Sequence, residues 1–225
     1  MKTVFVGLSG GVDSAVSAYL LKKSGYRVTG VFLKAWEPDF LPCTGMRDRL
    51  EAMRVAASLG IPFKTYDLEE EYKRDVVDYF VKEYHEGRTP NPDVLCNRTI
   101  KFGAFWREAK KDGADMIATG HYATIVKKEN SHALLAPKDT EKDQTYFLWT
   151  LTQDDLAHVL FPIGEHKKRD VRRIAEEAGL PNAHRKDSQG LCFLGHVDME
   201  AFLKRYVPTR RGPIYGTASE RIGEH

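Results

Sequence analysis

The chain has 225 residues, of which 42% are hydrophobic and 29% charged, and its formal net charge is +2. This composition is typical of a globular protein with one large domain, or one domain and a small appendage. It excludes a segment that spans a bilayer, because no apolar run is long enough, and a disulfide framework, because three widely spaced cysteines do not form one. We therefore expect a cytoplasmic protein with no membrane partner, whose thiols are core residues or chemically active.

A glycine-rich loop follows the first predicted strand, at residues 2–8, and precedes a predicted helix at 14–24. It reads Ser9-Gly10-Gly11-Val12-Asp13-Ser14. Inward-pointing N–H groups and the helix N-terminus together predict an anion site. The lysine of a GxxxxGK[ST] loop is missing, whereas Asp13 indicates magnesium and the hydroxyls of Ser9 and Ser14 can donate to phosphate. The loop resembles the PP-loop of the ATP pyrophosphatases, which split ATP into AMP and pyrophosphate.

Alternating strands and helices continue through the first two-thirds of the chain. Apolar runs predict strands at 27–33, 63–68 and 115–119, and helical spacing recurs at 50–57, 72–80 and 100–105. This alternation favours an α/β fold with a doubly wound parallel sheet. Because ligands of such sheets bind at the carboxyl ends of strands, we expect a site near Leu8, Leu33 and Gly120.

The pattern changes after residue 121. A hairpin is predicted from 123–127 and 132–136, followed by helices near 144–158, 167–178 and 198–206, with a polar loop at 182–189. We divide the chain into a nucleotide-binding core at 1–140, a mainly helical extension at 141–210, and the start of a linking domain or a loose tail at 211–225. Residues 166–211 hold eleven Lys or Arg and six Asp or Glu, a net +5 that leaves −3 elsewhere. Such a basic region favours a polyanionic partner, although a solvated helix face would look the same.

Two cysteines follow distinctive loops. In residues 87–97, two prolines fix an extended path that excludes helix, so that Cys96 is expected just before a helix whose N-terminus favours the thiolate. Asp93 lies three residues earlier and can accept or donate a proton. Cys192 follows the basic stretch 185–189, where cations again favour the thiolate. Taken singly, each cysteine fits a small buried hydrophobe better than a catalytic thiol.

Taken in order, the motifs at 9–14, 87–97, 119–123, 142–147 and 186–192 closely resemble the tRNA-specific 2-thiouridylases, which place sulfur on C2 of the wobble uridine. The resemblance runs from residue 1 to about 212 and implies an adenine nucleotide α-hydrolase-like fold. It implies that ATP is contacted by Gly7, Leu8, Ser9, Gly10, Gly11, Val12, Asp13, Ser14, Leu33 and Gly120. It implies that Cys96 is the nucleophile, that Cys192 carries a persulfide, and that Asn91, Pro92 and Asp93 approach the target base. The tRNA contacts it implies are Lys142, Asp143, Gln144 and His121, although a histidine in such a turn more often makes a structural hydrogen bond.

The implied partners are tRNA and a sulfur-donor protein, such as a cysteine desulfurase or a relay protein. A Cys96–Cys192 disulfide is implied as an intermediate of one route. Three alternatives stay open: thiolation by an iron–sulfur cluster held by Cys96, Cys192 and Asp93, an amidating PP-loop ligase, and an ATP-binding module without catalysis. Members of the family usually continue into a linking domain and a β-barrel that grips tRNA. Since this chain stops at His225, we expect its tRNA affinity to be affected more than its chemistry.

Overall fold

The computed structural model describes residues 1–38, 40, 45–187, 199–208 and 211–225. Two of the three cysteines, Cys43 and Cys192, lie outside the described residues. The described strands are β1 Thr3–Gly7, β2 Arg27–Lys34, β3 Phe63–Asp67, β4 Met116–Ala118, β5 Thr124–Lys127, β6 His132–Leu135, β7 Val159–Leu160, β8 Pro213–Tyr215 and β9 Arg221–Glu224. The described α-helices are α1 Val12–Lys23, α2 Gly45–Leu59, α3 Glu69–Tyr72, α4 Asp78–His85, α5 Pro92–Cys96, α6 Phe105–Lys111, α7 Gln153–His158, α8 Lys168–Glu177 and α9 Met199–Tyr206.

The central sheet has five parallel strands in the order β3-β2-β1-β4-β7. Strand order reverses direction at β1, where the chain crosses from one half of the sheet to the other. The carboxyl end of β1 therefore lies at the switch point, where doubly wound folds bind ligands. The predicted fold class is confirmed, and so is the hairpin, formed by β5 and β6.

Alternate side chains of β1 pack against helices on opposite faces of the sheet. Val4 and Val6 belong to a core shared with α1, α2 and α8, whereas Phe5 belongs to a second core shared with α4 and the helices on either side of it. Each side chain is almost fully buried. Burial on both faces explains why this strand is a continuous apolar run in the sequence.

The structure corrects the sequence prediction in three segments. Residues 144–158 are not one helix: a 3₁₀ turn at Thr145–Leu148 precedes α7, which starts afresh because Thr152 and Asp155 form a capping box. The two residues of β7 were not predicted as a strand, and they extend the sheet next to β4. The weakly patterned C-terminal stretch forms the hairpin β8–β9.

Helical structure begins earlier than expected around Cys96. The two prolines were expected to exclude helix, but α5 starts at Pro92 and is followed without a break by a π-helix at Asn97–Ala104 and then by α6. The prediction was wrong because proline is well suited to the first helical position, where its missing N–H has no partner to lose. Among the described residues, none of the helices combines the length and apolar character needed to cross a membrane.

Candidate functional site

The glycine-rich loop, residues 9–14, joins the end of β1 to the first turn of α1. Gly10 has a φ of +77°, which only glycine adopts without strain, and Gly11 caps the helix. The Ser14 hydroxyl donates to the Gly11 carbonyl at 3.0 Å and lies 3.4 Å from the Ser9 hydroxyl. The two serine hydroxyls therefore hold the loop in its conformation. To donate to a bound anion, each hydroxyl would have to give up its contact within the loop.

Two side chains from the polar loop after α8 hold the back of this turn. The Asn182 amide donates to the Gly10 carbonyl at 2.8 Å, and Arg185 donates to the same oxygen at 3.3 Å. Arg185 also pairs with Asp48 in α2. A side chain at position 10 would lie within 2.8 Å of the Asp48 carbonyl, so glycine is required here for packing as well as for φ.

Gly120 lies two residues after the end of β4 and packs against the start of α1. A Cβ at this position would come within 2.7 Å of the Ser14 backbone nitrogen and 2.8 Å of the Asp13 carbonyl carbon. The structure shows that this glycine allows the N-terminus of α1 to pack closely against it. Its expected close approach to a nucleotide stays a prediction. Leu33, in β2, is buried in the second core, and Gly7 ends β1.

The Asp13 carboxylate is the centre of a charged cluster. The Lys168 ammonium donates to both Asp13 oxygens at 2.8 Å, and the Tyr122 hydroxyl donates to one of them at 2.9 Å. Lys168 also lies 2.9 Å from Asp187. Further cations reach Asp187 from Arg172 at 2.5 Å and from Lys142 at 3.9 Å.

The cluster alters the ionisation of its members. Partial burial acts to raise the pKa of Asp187, but the hydrogen bond from Lys168 and the charges of Lys168, Arg172 and Lys142 together lower that pKa below its usual value. Burial, followed by the neighbouring Asp13 charge, raises the pKa of Tyr122. Asp187 is therefore a carboxylate and Tyr122 a neutral hydrogen-bond donor at neutral pH.

Cys96 is the last residue of the short helix α5 and is fully buried in the second core. The Asn91 side chain caps this helix by accepting from the N–H groups of Asp93 at 3.1 Å and Val94 at 3.3 Å. Asn91 and Pro92 thus have a local structural role that the sequence prediction did not give them. Their predicted approach to a target base stays a prediction.

Hydrogen bonds connect the helix of Cys96 to the loop at 142–147. Asn97, the residue after Cys96, is buried and donates from its amide to the Phe147 carbonyl at 3.0 Å. The Phe147 N–H in turn donates to the Gln144 carbonyl at 3.0 Å. The Gln144 side chain accepts from the Tyr122 N–H at 2.9 Å, and Tyr122 contacts Asp13. These bonds link the glycine-rich loop to the cysteine helix.

His121 lies inside the protein, where its ring packs edge-on against Phe161 and its Nδ1 lies 2.7 Å from the Thr119 hydroxyl. Burial, with a smaller contribution from the charge of Lys101, lowers its pKa well below 6.5. The ring is therefore neutral. This environment matches the structural reading of His121, and its predicted contact with tRNA stays a prediction.

The three polar residues at 142–144 have separate surroundings. Lys142 is exposed and reaches toward Asp187, whereas the Asp143 carboxylate accepts from the Thr145 N–H at 2.8 Å and from its hydroxyl at 2.7 Å. Gln144 is half-buried against Tyr122. Lys142 is thus the residue of the three that is placed to meet an incoming anion.

The site residues predicted from sequence are brought together in part. The loop at 9–14, Gly120 and Gln144 form one site, and Lys142 lies beside it, but Cys192 lies outside the described residues. Sequence reasoning gave no role to four residues of this site. Tyr122 and Asp187 lay within the motifs at 119–123 and 186–192, whereas Lys168 and Asn182 lay only in a basic stretch and a polar loop. No cluster of three or more His, Cys, Asp or Glu in the described part of the chain is arranged to hold a metal ion.

Comparison with known proteins shows what this chain is similar to. A family model described as the tRNA methyl transferase HUP domain matches residues 2–196. A protein of Christiangramia forsetii named tRNA-specific 2-thiouridylase MnmA is 52% identical over 95% of this chain and 56% of its own length. A protein of the same name from Chromobacterium violaceum is 50% identical over the whole chain and 59% of its own length. The chain thus spans less than two-thirds of these relatives.

A solved structure shares the fold at low sequence identity. It is the crystal structure of a 4-thiouridine synthetase–RNA complex with bound ATP. The match covers 92% of this chain and 50% of the chain in that structure, with a TM-score of 0.56 and 19% sequence identity. At that identity the likeness concerns the fold alone.

Proposed function

The chain belongs to the tRNA methyl transferase HUP domain family, and on this basis we propose that it catalyses ATP-dependent 2-thiolation of the wobble uridine of tRNA. Relatives that are about half identical along the whole chain carry the name tRNA-specific 2-thiouridylase. The structural observation that supports the proposal is the run of hydrogen bonds between Asp13, Tyr122, Gln144, Phe147 and Asn97. It joins an anion-binding loop to the helix that carries the predicted nucleophile.

In the proposed first step, the glycine-rich loop binds ATP and the uridine O2 attacks the α-phosphate. The bond from the α-phosphorus to the bridging oxygen breaks, pyrophosphate leaves, and the base is adenylated at O2. Backbone N–H groups at the start of α1 and the partial positive charge of that helix oppose the negative charge that develops. Asp13 is the carboxylate of the loop that would hold magnesium, which would neutralise charge on the phosphates.

The second step replaces the adenylated oxygen with sulfur. A sulfur-donor protein loads Cys192 with a persulfide. In one route its terminal sulfur attacks C2 and AMP leaves, so that the base is joined to Cys192 by an S–S bond, which a dithiol reductant then cleaves to release 2-thiouridine and the Cys192 thiol. In the other route, the Cys96 thiolate attacks the inner sulfur of the persulfide and releases hydrosulfide, which attacks C2. That route forms a Cys96–Cys192 disulfide, and a thiol reductant restores both thiols before the next turnover.

The target base has to leave its stack to reach the end of the sheet, as in other enzymes that modify bases. We expect Asn91, Pro92 and Asp93, at the start of α5, to meet it. Lys142 is exposed at the edge of the charged cluster and is suited to an RNA phosphate. The net +5 between residues 166 and 211 supports the same polyanionic partner.

The test uses unmodified tRNA, ATP, magnesium and a persulfide donor, with the nucleosides analysed by mass spectrometry. We expect 2-thiouridine, with AMP and pyrophosphate formed in equal amounts and only when tRNA is present. A full-length relative serves as the positive control, because this chain spans about 60% of the relatives it matches. If the relative forms 2-thiouridine and this chain forms none at saturating tRNA, the proposal is wrong.

A further inference from the structure

Lys168 is the first residue of α8 and points toward the glycine-rich loop. Its backbone N–H donates to the Asp139 carboxylate at 2.7 Å, which fixes the start of the helix. Its ammonium contacts both oxygens of Asp13 and one oxygen of Asp187, and its side chain is only 14% exposed. The loop that lacks a lysine of its own therefore has one placed beside it by a helix distant in sequence.

The charges around Lys168 balance one another. Three cations, Lys168, Arg172 and Lys142, lie among the carboxylates of Asp13, Asp187 and Asp139. Of these three cations, Lys168 is the one that contacts Asp13 in the glycine-rich loop. A polyphosphate at the start of α1 would therefore meet the Lys168 ammonium, which has three donors on a flexible stem.

We propose that Lys168 is the phosphate-binding cation of this site, which Asp13 and Asp187 hold in place until nucleotide arrives. On binding, Lys168 exchanges one or more contacts with Asp13 for the β- and γ-phosphates of ATP, which become the pyrophosphate leaving group. The exchange also frees Asp13 oxygens for a metal ion that accompanies the phosphates. This inference rests on the proposed function in one respect, that ATP is the nucleotide.

A purely structural role makes a different prediction. If Lys168 only ties α8 to α1, its removal lowers stability and affects all nucleotides alike. If it binds the β- and γ-phosphates, its removal weakens the binding of ATP but not of AMP, which lacks these phosphates. The ratio of the two affinities therefore separates the readings, whatever happens to the melting temperature.

The experiment measures binding of ATP and of AMP by calorimetry, with magnesium present, to the wild-type chain and to Lys168→Met. Lys167→Met is the matched control, because Lys167 is the adjacent lysine and is exposed. We expect Lys168→Met to lower the affinity for ATP by about tenfold or more, the size typical of a hydrogen bond to a charged group. Its affinity for AMP should stay within about twofold of the wild type. Lys167→Met should bind both as the wild type does, and Lys168→Arg should recover part of the ATP affinity.

If Lys168→Met does not fold, Lys168→Gln takes its place, since glutamine keeps donors for Asp13 but not the charge. Equal ATP affinity in the wild type and the neutral variants, or equal weakening of ATP and AMP, would overturn the assignment of Lys168 alone. A wild-type chain that binds neither nucleotide would instead contradict the proposed function, and the role of Lys168 with it.

Discussion

Gln144 and Tyr122 form a reciprocal pair of hydrogen bonds. The Gln144 side-chain oxygen accepts from the Tyr122 N–H at 2.9 Å, and the Gln144 N–H donates to the Tyr122 carbonyl at 3.1 Å. Since the Tyr122 hydroxyl contacts Asp13, Gln144 is connected to the glycine-rich loop through Tyr122. A residue that the family resemblance assigns to tRNA contact therefore also supports the proposed ATP site.

We predict that Gln144→Ala weakens ATP binding several-fold and lowers the free energy of unfolding by about 1 kcal/mol, because Tyr122 loses an acceptor for its N–H. Gln153→Ala is the control. Its side chain bonds both backbone groups of one residue, His132, on the exposed β5–β6 hairpin. Its removal should cost at least as much stability, because two side-chain hydrogen bonds are lost rather than one, and should leave ATP affinity unchanged. Calorimetry and chemical unfolding of both variants check this, and equal ATP affinity in the two would contradict the coupling.

We predict that Gly10→Ala abolishes measurable ATP binding. The new methyl group would meet the Asp48 carbonyl at 2.8 Å in addition to the strain of a φ of +77°. Gly25→Ala is the matched control, since Gly25 has a φ of +84° and nothing within 4 Å of the added carbon. That control should be destabilised only by the backbone strain, roughly 1–2 kcal/mol, and should bind ATP normally. Normal ATP binding by Gly10→Ala would show that the turn does not need glycine.

The sequence predicts well the features that depend on local pattern. The loop at 9–14 is recognisable because strand, glycines and helix follow one another directly. Four of the five described strands of the central sheet, all but β7, are recognisable as apolar runs bounded by glycine or proline. The boundaries of helices were harder to predict. Pro92 was interpreted as a helix breaker, although the cap formed by Asn91 makes it a helix start.

The parts of the site that sequence could not predict are contacts between distant segments. Lys168 is 155 residues from Asp13, and Asn182 is 172 residues from Gly10. Nothing in the spacing of a basic helix indicates that its first lysine faces a loop at the other end of the chain. The burial of His121 was equally hidden, because it depends on Phe102 and Phe161 packing around the ring.

We predict that Cys96→Ala prevents 2-thiouridine formation while ATP binding stays within about twofold of the wild type. Cys96 is buried in the second core rather than in the glycine-rich loop, so its loss removes the thiol without changing the nucleotide contacts. The control is Cys43→Ala, at a cysteine outside the described residues to which the sequence gives no role. Thiolation is measured by nucleoside mass analysis, and a Cys96→Ala rate near that of Cys43→Ala would exclude Cys96 as the nucleophile.

We predict that His121 makes the protein less stable as the pH falls below 6.5. Burial holds the pKa of folded His121 well below that value, whereas the unfolded chain takes up a proton there. Between the two pKa values the unfolded state binds the extra proton, so stability is retained above pH 6.5 and declines below it, by up to about 1.4 kcal/mol per pH unit.

Chemical unfolding at pH 7.5 and 5.5 should therefore give a smaller difference in the free energy of unfolding for His121→Gln than for the wild type. His184→Gln, at a largely exposed histidine, should keep the wild-type difference. If His121→Gln keeps it too, the buried neutral ring is not the source of the acid sensitivity.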